Sequence, residues 1–320
     1  AAKGFIPSVS EERSATDIFR AMASGEQRGH SFERRGVIVG STNTVPKSFY
    51  DEVMDLAKLQ GNMLTTSDVI NTTSGEDLTI PTLTAYSAMT LKGAGAALDD
   101  VEPTYSSIVL GAYKVGGTIQ ADNSLVVDAG FDLGAHLAKQ AGVGIGTAVN
   151  ALLTTGTGSS QPTGIVTASG EGKVGATGVA GAFTADDILD LIYSVDGAVR
   201  RASTFGLVMN TSSLGQARKL KDTAGNYLYN ISQVGPAGQD TFAGFTVYEN
   251  PDMADTAVDA KSVLAGDLAA YKVRLAGGLQ VASSTDFAFQ NDLTTWRFTM
   301  RFDGNAAHAS EIKHFVGGAS

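Results

Sequence analysis

No cysteine occurs in the 320 residues, which excludes disulfides, thiolate metal sites and a cysteine nucleophile. Charge is scarce at 18% of residues, and the balance is acidic, with 23 Lys and Arg against 33 Asp and Glu. A formal net charge of −10 argues against a basic nucleic-acid binder, whose phosphate affinity comes from Lys and Arg. It suits a protein kept soluble at high concentration. Long apolar runs are also missing, since none approaches the roughly 20 residues that cross a bilayer as a helix. His30 and His136 stand alone, and His308 and His314 do not have the i, i+4 spacing of a helical zinc site. A single tryptophan, Trp296, speaks against a secreted β-rich adhesin or carbohydrate binder, because sugar sites usually stack on exposed aromatics.

What the chain does have is 43% hydrophobic residues and 38 glycines, enough for a real core and for about two domains. Residues 1–36 are polar and mixed in charge, and too poor in apolar groups for a core of their own. They read as an extended arm that needs something to lie on. A solvated or subunit-contacting role suits Arg28, Arg34 and Arg35 better than a nucleic-acid contact. "TVPKSFYDEVMDLAK" reads as a short amphipathic helix behind Pro46. "EDLTIPTLTAY" and "TYSSIVLGAYKVGGTIQ" are rich in Thr, Tyr, Ile and Val, and predict the two long arms of a hairpin within 75–121. Residues 88–102 between those arms carry little apolar bulk.

From Asn123 to Leu153 residues step by three or four through Val126, Gly130, Leu133, Leu137, Ala141, Ile145, Ala148 and Leu152, predicting one long helix. Gly134, Gly142, Gly144 and Gly146 weaken it, and allow another backbone to come close. A compact α/β region follows from about 183 to 279. Thr184 and Asp187 form a capping box there, and Phe183 and Ile188 a hydrophobic staple. Residues 280–320 return to strand patterns and are expected to close onto the first region.

No constellation of catalytic residues emerges, and no cofactor or metal site. The glycines of "TTGTGSSQPTGIV", residues 154–166, lack the Gly-Lys-Ser/Thr of a phosphate loop. "GVGIG" at 142–146 lies inside a helix pattern with no strand before it, so helix packing is the better reading. Asp99, Asp100 and Glu102 lack the spacing and glycine of an EF-hand, and read as a solvated or interface-facing run. Asp186, Asp187 and Asp190 suit the favourable field at a helix N-terminus.

Four motifs in a fixed order carry a resemblance. Gln161, Pro162, Gly164 and Ile165 follow the long helix; "LKDTAGNYLY" spans Leu220 to Tyr229; "LAGDLAAYKV" and "RFDGNAAHASEIKHF" come later. This order resembles the major capsid proteins of tailed bacteriophages with the Hong Kong 97 fold, from about residue 37 onward. The resemblance implies an α+β chain with an N-terminal arm (1–36), a peripheral domain (37–74, 122–182 and 280–320), an extended β-hairpin loop (75–121) and an α/β axial domain (183–279). Residues 122–182 would hold the long spine helix, and the glycine-rich stretch would be a corner leading out of it, with Pro162 fixing φ.

The function implied is assembly with copies of itself into hexamers and pentamers of an icosahedral head around double-stranded DNA, without sequence specificity or membrane contact. Portal, scaffolding segment or protease, and decoration proteins are the further partners implied; the place is the virion, assembled in the host cytoplasm. Ala1 without a Met suggests removal of a scaffolding segment. Encapsulins, which share the fold, are the nearest alternative, and an enzyme with an unrecognised site is a third class. Some relatives join subunits by an isopeptide bond from a loop Lys to an Asn, aided by a Glu. Lys92 and Asn291 are the matching candidates, but Leu293 to Phe302 contains no Asp or Glu. Asn291 then reads as a turn residue, and the shell as noncovalent, with Lys92, Asp99, Asp100 and Glu102 as interface candidates on the loop.

Overall fold

The computed structural model describes residues 29–32, 54–55, 57–85, 89–95, 97–123, 133–221, 224–227 and 240–319. In chain order the first elements are β1 (Gly29–Phe32), α1 (Met63–Thr66), β2 (Asp68–Thr72), β3 (Leu78–Ala85), β4 (Thr104–Leu110) and β5 (Tyr113–Asp122). Then come α2 (Leu133–Thr155), α3 (Ile165–Ala168), β6 (Gly170–Val174), α4 (Ala185–Tyr193), β7 (Phe205–Met209) and α5 (Thr211–Arg218). The last are β8 (Thr241–Phe242), β9 (Phe245–Glu249), β10 (Val263–Asp267), β11 (Tyr271–Ala288), β12 (Leu293–Ala306) and β13 (Ile312–Val316). Helical backbone also occurs at 54–55 and 57–59, where a helix is expected, with Met54 and Ala57 buried. Of the described residues, those up to Ala57 with Val115–Gly146 and Gly277–Met300 form one unit; Lys58–Lys114, Thr147–Ala276 and Arg301 onward form the other.

The second unit is built on a six-stranded sheet in the order β6-β13-β10-β7-β9-β8. All five residues of β7, FGLVM, are buried, the pattern of a strand covered on both faces. β10 runs antiparallel to β7, with Val263 opposite Met209. β9 runs parallel on the other side, with Gly206 opposite Thr246. Ile188, Leu191 and Leu214 of α4 and α5 pack with Leu207, Met209 and Val263 of the sheet in one core. Phe183 meets Phe315 edge-on at 6.0 Å.

Helix α4 begins as its sequence requires. Asp187 N donates to Thr184 Oγ1 at 3.2 Å and Thr184 N donates to Asp187 Oδ2 at 2.9 Å, so two end amides are satisfied reciprocally. Asp186 and Asp187 occupy the first turn, whereas Asp190 lies beyond it and accepts from Lys173 Nζ at 2.6 Å. The helix field therefore explains the first two aspartates, and an ion pair explains the third.

The sheet corrects one expectation. Residues 312–316 do not close onto the first region; β13 pairs antiparallel with β10 and parallel with β6. A strand pattern announces an apolar face but not its partner. Here the second edge of buried β10 needs hydrogen bonds that β13 supplies.

In the first unit the strand order is β1-β11-β12-β5. β1 pairs antiparallel with β11, Gly29 opposite Ala282 and Phe32 opposite Leu279, so part of the expected arm lies on its own chain. Backbone pairing of this kind needs no apolar bulk. Within the second unit, β2 pairs in parallel with the earlier part of β11, Asp68 opposite Lys272 and Thr72 opposite Ala276. Between those two partners, Gly277 and Gly278 take φ of +73° and +66°, a left-handed conformation cheap only for glycine.

The long helix is present from Leu133 to Thr155. Among its described side chains the large buried apolar ones are Leu137, Ile145, Val149 and Leu153, with Ala141 in the same row, whereas Ala148 and Leu152 are half-buried. A strict step of four follows one inclined ridge of the helix surface, so the apolar stripe winds away from the positions that a mixed step of three and four selects. Of the helix glycines, Gly146 lies where an added Cβ would be 2.6 Å from the Ala57 backbone, while Gly144 meets nothing within 4 Å. Close approach therefore explains Gly146 and not Gly144.

His314 of β13 is 5% exposed, and its Nδ1 lies 2.9 Å from Ser169 Oγ. The Ser169 hydroxyl already donates to Val166 O at 2.9 Å, so the imidazole must donate through Nδ1. Burial first, then the nearby Lys261 and Lys313 charges, push its pKa down from 6.5 to about 4, against an opposing interaction with the Ser169 backbone. For a base depressed by folding, stability is complete above the unfolded value near 6.5 and is lost as pH falls toward about 4. Replacing His314 by Gln is expected to flatten the pH dependence of the unfolding free energy from urea titrations between about pH 6.5 and pH 4.5, by an amount on the order of 2 kcal/mol. An unchanged slope in the variant would show that His314 is not the group responsible.

Candidate assembly interface

β3 and β4 form a separate two-stranded sheet, from Leu78 opposite Leu110 to Ala85 opposite Thr104. Six of the seven residues of β4 are exposed or half-exposed, and Tyr105 is 67% exposed. Nearer the tip, Met89, Leu91 and Leu98 are 90%, 102% and 85% exposed. The few large apolar residues of 88–102 therefore stand in solvent, outside the subunit core. Their signal in the sequence is the alternating Met89-Thr90-Leu91, ahead of the glycines and alanines that follow.

Charges at the tip are ordered. Lys92 Nζ lies 2.8 Å from Asp99 Oδ1, and Thr90 Oγ1 donates to Asp99 Oδ2 at 2.5 Å. The Lys92 bond holds the Asp99 carboxyl below the usual carboxylate range. Lys92 and Asp99 are thus brought together across the tip, with Asp100 and Glu102 exposed on the returning arm. Arg28, Arg34 and Arg35 lie outside the described residues. Asn291 ends a short 3-10 turn, followed by Asp292 at φ +52°, which is the geometry expected of a turn residue.

The root of the hairpin is held from two strands. Arg274 of β11, 2% exposed, donates from Nε to Thr72 Oγ1 at 2.9 Å and from Nη2 to Ser74 O at 2.8 Å. Its Nη1 donates to Leu110 O at 2.7 Å and to Gly111 O at 3.1 Å. From β12, Asp303 Oδ2 accepts from Gly111 N, and Oδ1 accepts from Gly304 N at 2.8 Å. Burial pushes the Asp303 carboxyl up; the Gly304 and Gly111 amides and the Arg274 charge oppose that shift, and Asp77 adds to it.

Gln161, Pro162, Gly164 and Ile165 form a closed corner after α2. Gln161 Nε2 donates to Thr157 Oγ1 at 2.6 Å, Gly158 N to Pro162 O at 3.1 Å and Gly164 N to Gly156 O at 2.9 Å. A Cβ on Gly156 would lie 2.3 Å from Pro162 O, and one on Gly164 2.5 Å from Gly156 N, so larger residues fit at neither. Ile165 is fully buried and opens α3. The corner is fastened from outside by Thr163, whose N donates to Gly304 O at 3.0 Å and whose O accepts from Tyr271 Oη at 2.7 Å. Burial pushes the Tyr271 phenol well above its usual range, so it remains a donor.

A polar junction that the sequence reading missed lies just before the corner. Asn150 Nδ2 donates to Asn250 Oδ1 at 2.8 Å and to Asp252 Oδ2 at 2.5 Å. Asn250 Nδ2 donates to Thr154 Oγ1 at 2.9 Å. The available signal was polar residues, Asn150 and Thr154, on a helical surface next to Val149 and Leu153.

Among the described residues no group of three or more His, Cys, Asp or Glu could hold a metal ion. No helix among them is long and apolar enough to cross a membrane, which says nothing of strand-built membrane proteins.

With this geometry in place, the comparisons with known proteins are specific. Among solved structures, the chain is similar to the capsid of the native GTA particle, with 22% identity and a TM-score of 0.71 over 91% of this chain and 96% of that one. It is also similar to a protein of Microbacterium phage Oxtober96, at 16% identity and a TM-score of 0.61 over 96% and 99% of the two chains. A chain of Mycobacterium phage Cain matches at 16% identity and 0.60, over 90% and 95%. At these identities the likeness establishes the fold, an α+β architecture of the Hong Kong 97-like capsid type. No curated protein matches. The model of the phage capsid family matches residues 41–317, and on that extent the chain belongs to the phage capsid family, as a structural protein of a virion.

Proposed function

We propose that this chain is the major capsid protein of a tailed-phage head, closing into hexamers and pentamers of an icosahedral shell around double-stranded DNA. The observation that carries the reading is the two-stranded sheet of β3 and β4, which exposes Met89, Leu91, Leu98 and Tyr105. An isolated two-stranded hairpin is marginal in water. A neighbouring copy that covered it would bury these side chains, each worth about 1.5–3 kcal/mol when fully removed from water. Heterologous contacts of this kind close into rings, as hexamers and pentamers require. The native and empty GTA capsids, both computed with C5 symmetry, support the five-fold element of this reading.

In this reading residues 183–279, with β6 and β13, are the axial domain that meets at capsomer axes. The hairpin within 75–121 is the extended loop, and the segments around it are the peripheral domain. Arg28, Arg34 and Arg35 belong to an arm that contacts adjacent subunits. The portal, a scaffolding segment with its protease, and decoration proteins complete the partners, and the packaged DNA is held without sequence specificity. Assembly takes place in the host cytoplasm. The family match supports this over an encapsulin.

The shell is held without covalent joints, because Lys92 is paired with Asp99 and no carboxylate lies between Leu293 and Phe302 to activate its amine. Purified assemblies are expected to appear as uniform closed particles by negative-stain microscopy. Boiled in detergent, they should give one band at 33.0 kDa. A chain that stays monomeric in the presence of its scaffolding segment would end the shell reading, and a boiling-resistant ladder would end the noncovalent one. Replacing 88–102 by a short Gly-Ser loop should leave the subunit folded and abolish stable shells. Full-sized stable particles from that variant would remove the hairpin from the account.

A further inference from the structure

A hairpin without a core of its own has nothing within itself to fix its direction. Its aim is therefore set where its two legs leave the rest of the unit. There the outgoing leg passes Thr72 and Ser74, and the returning leg passes Leu110 and Gly111. One guanidinium bonds to all four of these residues. The Leu110–Gly111 peptide is gripped twice, its O by Arg274 and its N by Asp303, so strands β11 and β12 both hold the same peptide.

The geometry points to Arg274 as the positioning residue that aims the hairpin at a neighbouring copy, an inference that rests on the assembly role proposed above. Three features carry it. The side chain is 2% exposed, so its bonds to carbonyl oxygens face little competition from water. The guanidinium is a planar fork whose donors point in fixed directions, so it sets the two legs relative to each other as well as to β11. The lever is long: the eight residues of β3 alone span about 26 Å, so a 10° tilt at the root displaces the far end by about 4.5 Å. A displacement of that size takes an exposed apolar side chain out of van der Waals contact with any fixed partner. Lysine retains the charge but presents a single ammonium, which cannot span both legs.

The test uses the full chain and two readouts: hydrogen exchange of subunits, and the yield of closed shells. Arg274→Lys is expected to speed exchange of the β3 and β4 amides by about tenfold or more, with β7 and β10 unchanged within about twofold. Shell yield should fall with it. Thr72→Val removes the Nε bond together with the hydroxyl's own bonds to Ser74 O at 3.2 Å and Leu275 O at 3.5 Å, leaves the three Nη bonds in place, and should show the same pattern in weaker form. Thr184→Ala removes the capping bond at the start of α4, a helix that packs on the six-stranded sheet and not on the hairpin, and should leave hairpin exchange as in the parent. Unchanged hairpin exchange in Arg274→Lys, or a rise shared equally by β7 and β10, would overturn the clamp whether or not shells form. A loosened hairpin with normal shell yield would overturn the aiming role; the separate loop replacement still decides whether the hairpin contacts a neighbour at all.

Discussion

Two β-strands that face solvent on both sides bury too little to hold themselves in one place. In this chain that constraint falls on β3 and β4, and the remaining features of the second unit answer to it. The legs are gathered on a buried guanidinium that takes part in four hydrogen bonds with them. Beyond the root, apolar side chains stand in water at Met89, Leu91 and Leu98. An exposed cluster of this kind marks an interaction surface. In a capsid protein the natural occupant of such a surface is another copy of the same chain.

The same unit must also hold its sheet firmly, because a hairpin anchored on β11 and β12 is only as well placed as those strands. The buried polar groups serve that purpose. Asn150 and Asn250 join the end of α2 to the segment after β9, and the corner at 156–165 is tied to β11 and β12 through Thr163, Tyr271 and Gly304. Each of these bonds is directional, and leaving a member unpaired would cost more than the bond itself contributes. Apolar packing between α4, α5 and the sheet supplies cohesion, while the polar contacts select one arrangement.

Much of this was legible because the signals are local. The capping box at Thr184, the unbroken apolar run of β7 and the corner at Gln161–Ile165 each depend on residues a few positions apart. What stayed hidden depends on distant residues. Arg274 reads as an ordinary strand charge, since its partner Leu110 lies 164 residues away. β13 carries a strand pattern that cannot say which sheet it joins. The burial stripe of α2 follows Val149 and Leu153 rather than Ala148 and Leu152, a distinction set by what packs against the helix. Of the candidate interface residues, Lys92 and Asp99 pair as charge alone would suggest, whereas the exposed apolar residues beside them were masked by surrounding small residues.

The central claim is that the hairpin lies on a neighbouring subunit. It is tested most directly by assembling shells from an equal mixture of isotopically light and heavy chains, then cross-linking through Lys92. The account predicts light–heavy pairs containing the Lys92 peptide in shells, and none from unassembled subunits. Cross-links from that peptide found only within single chains, in shells as in free subunits, would contradict it.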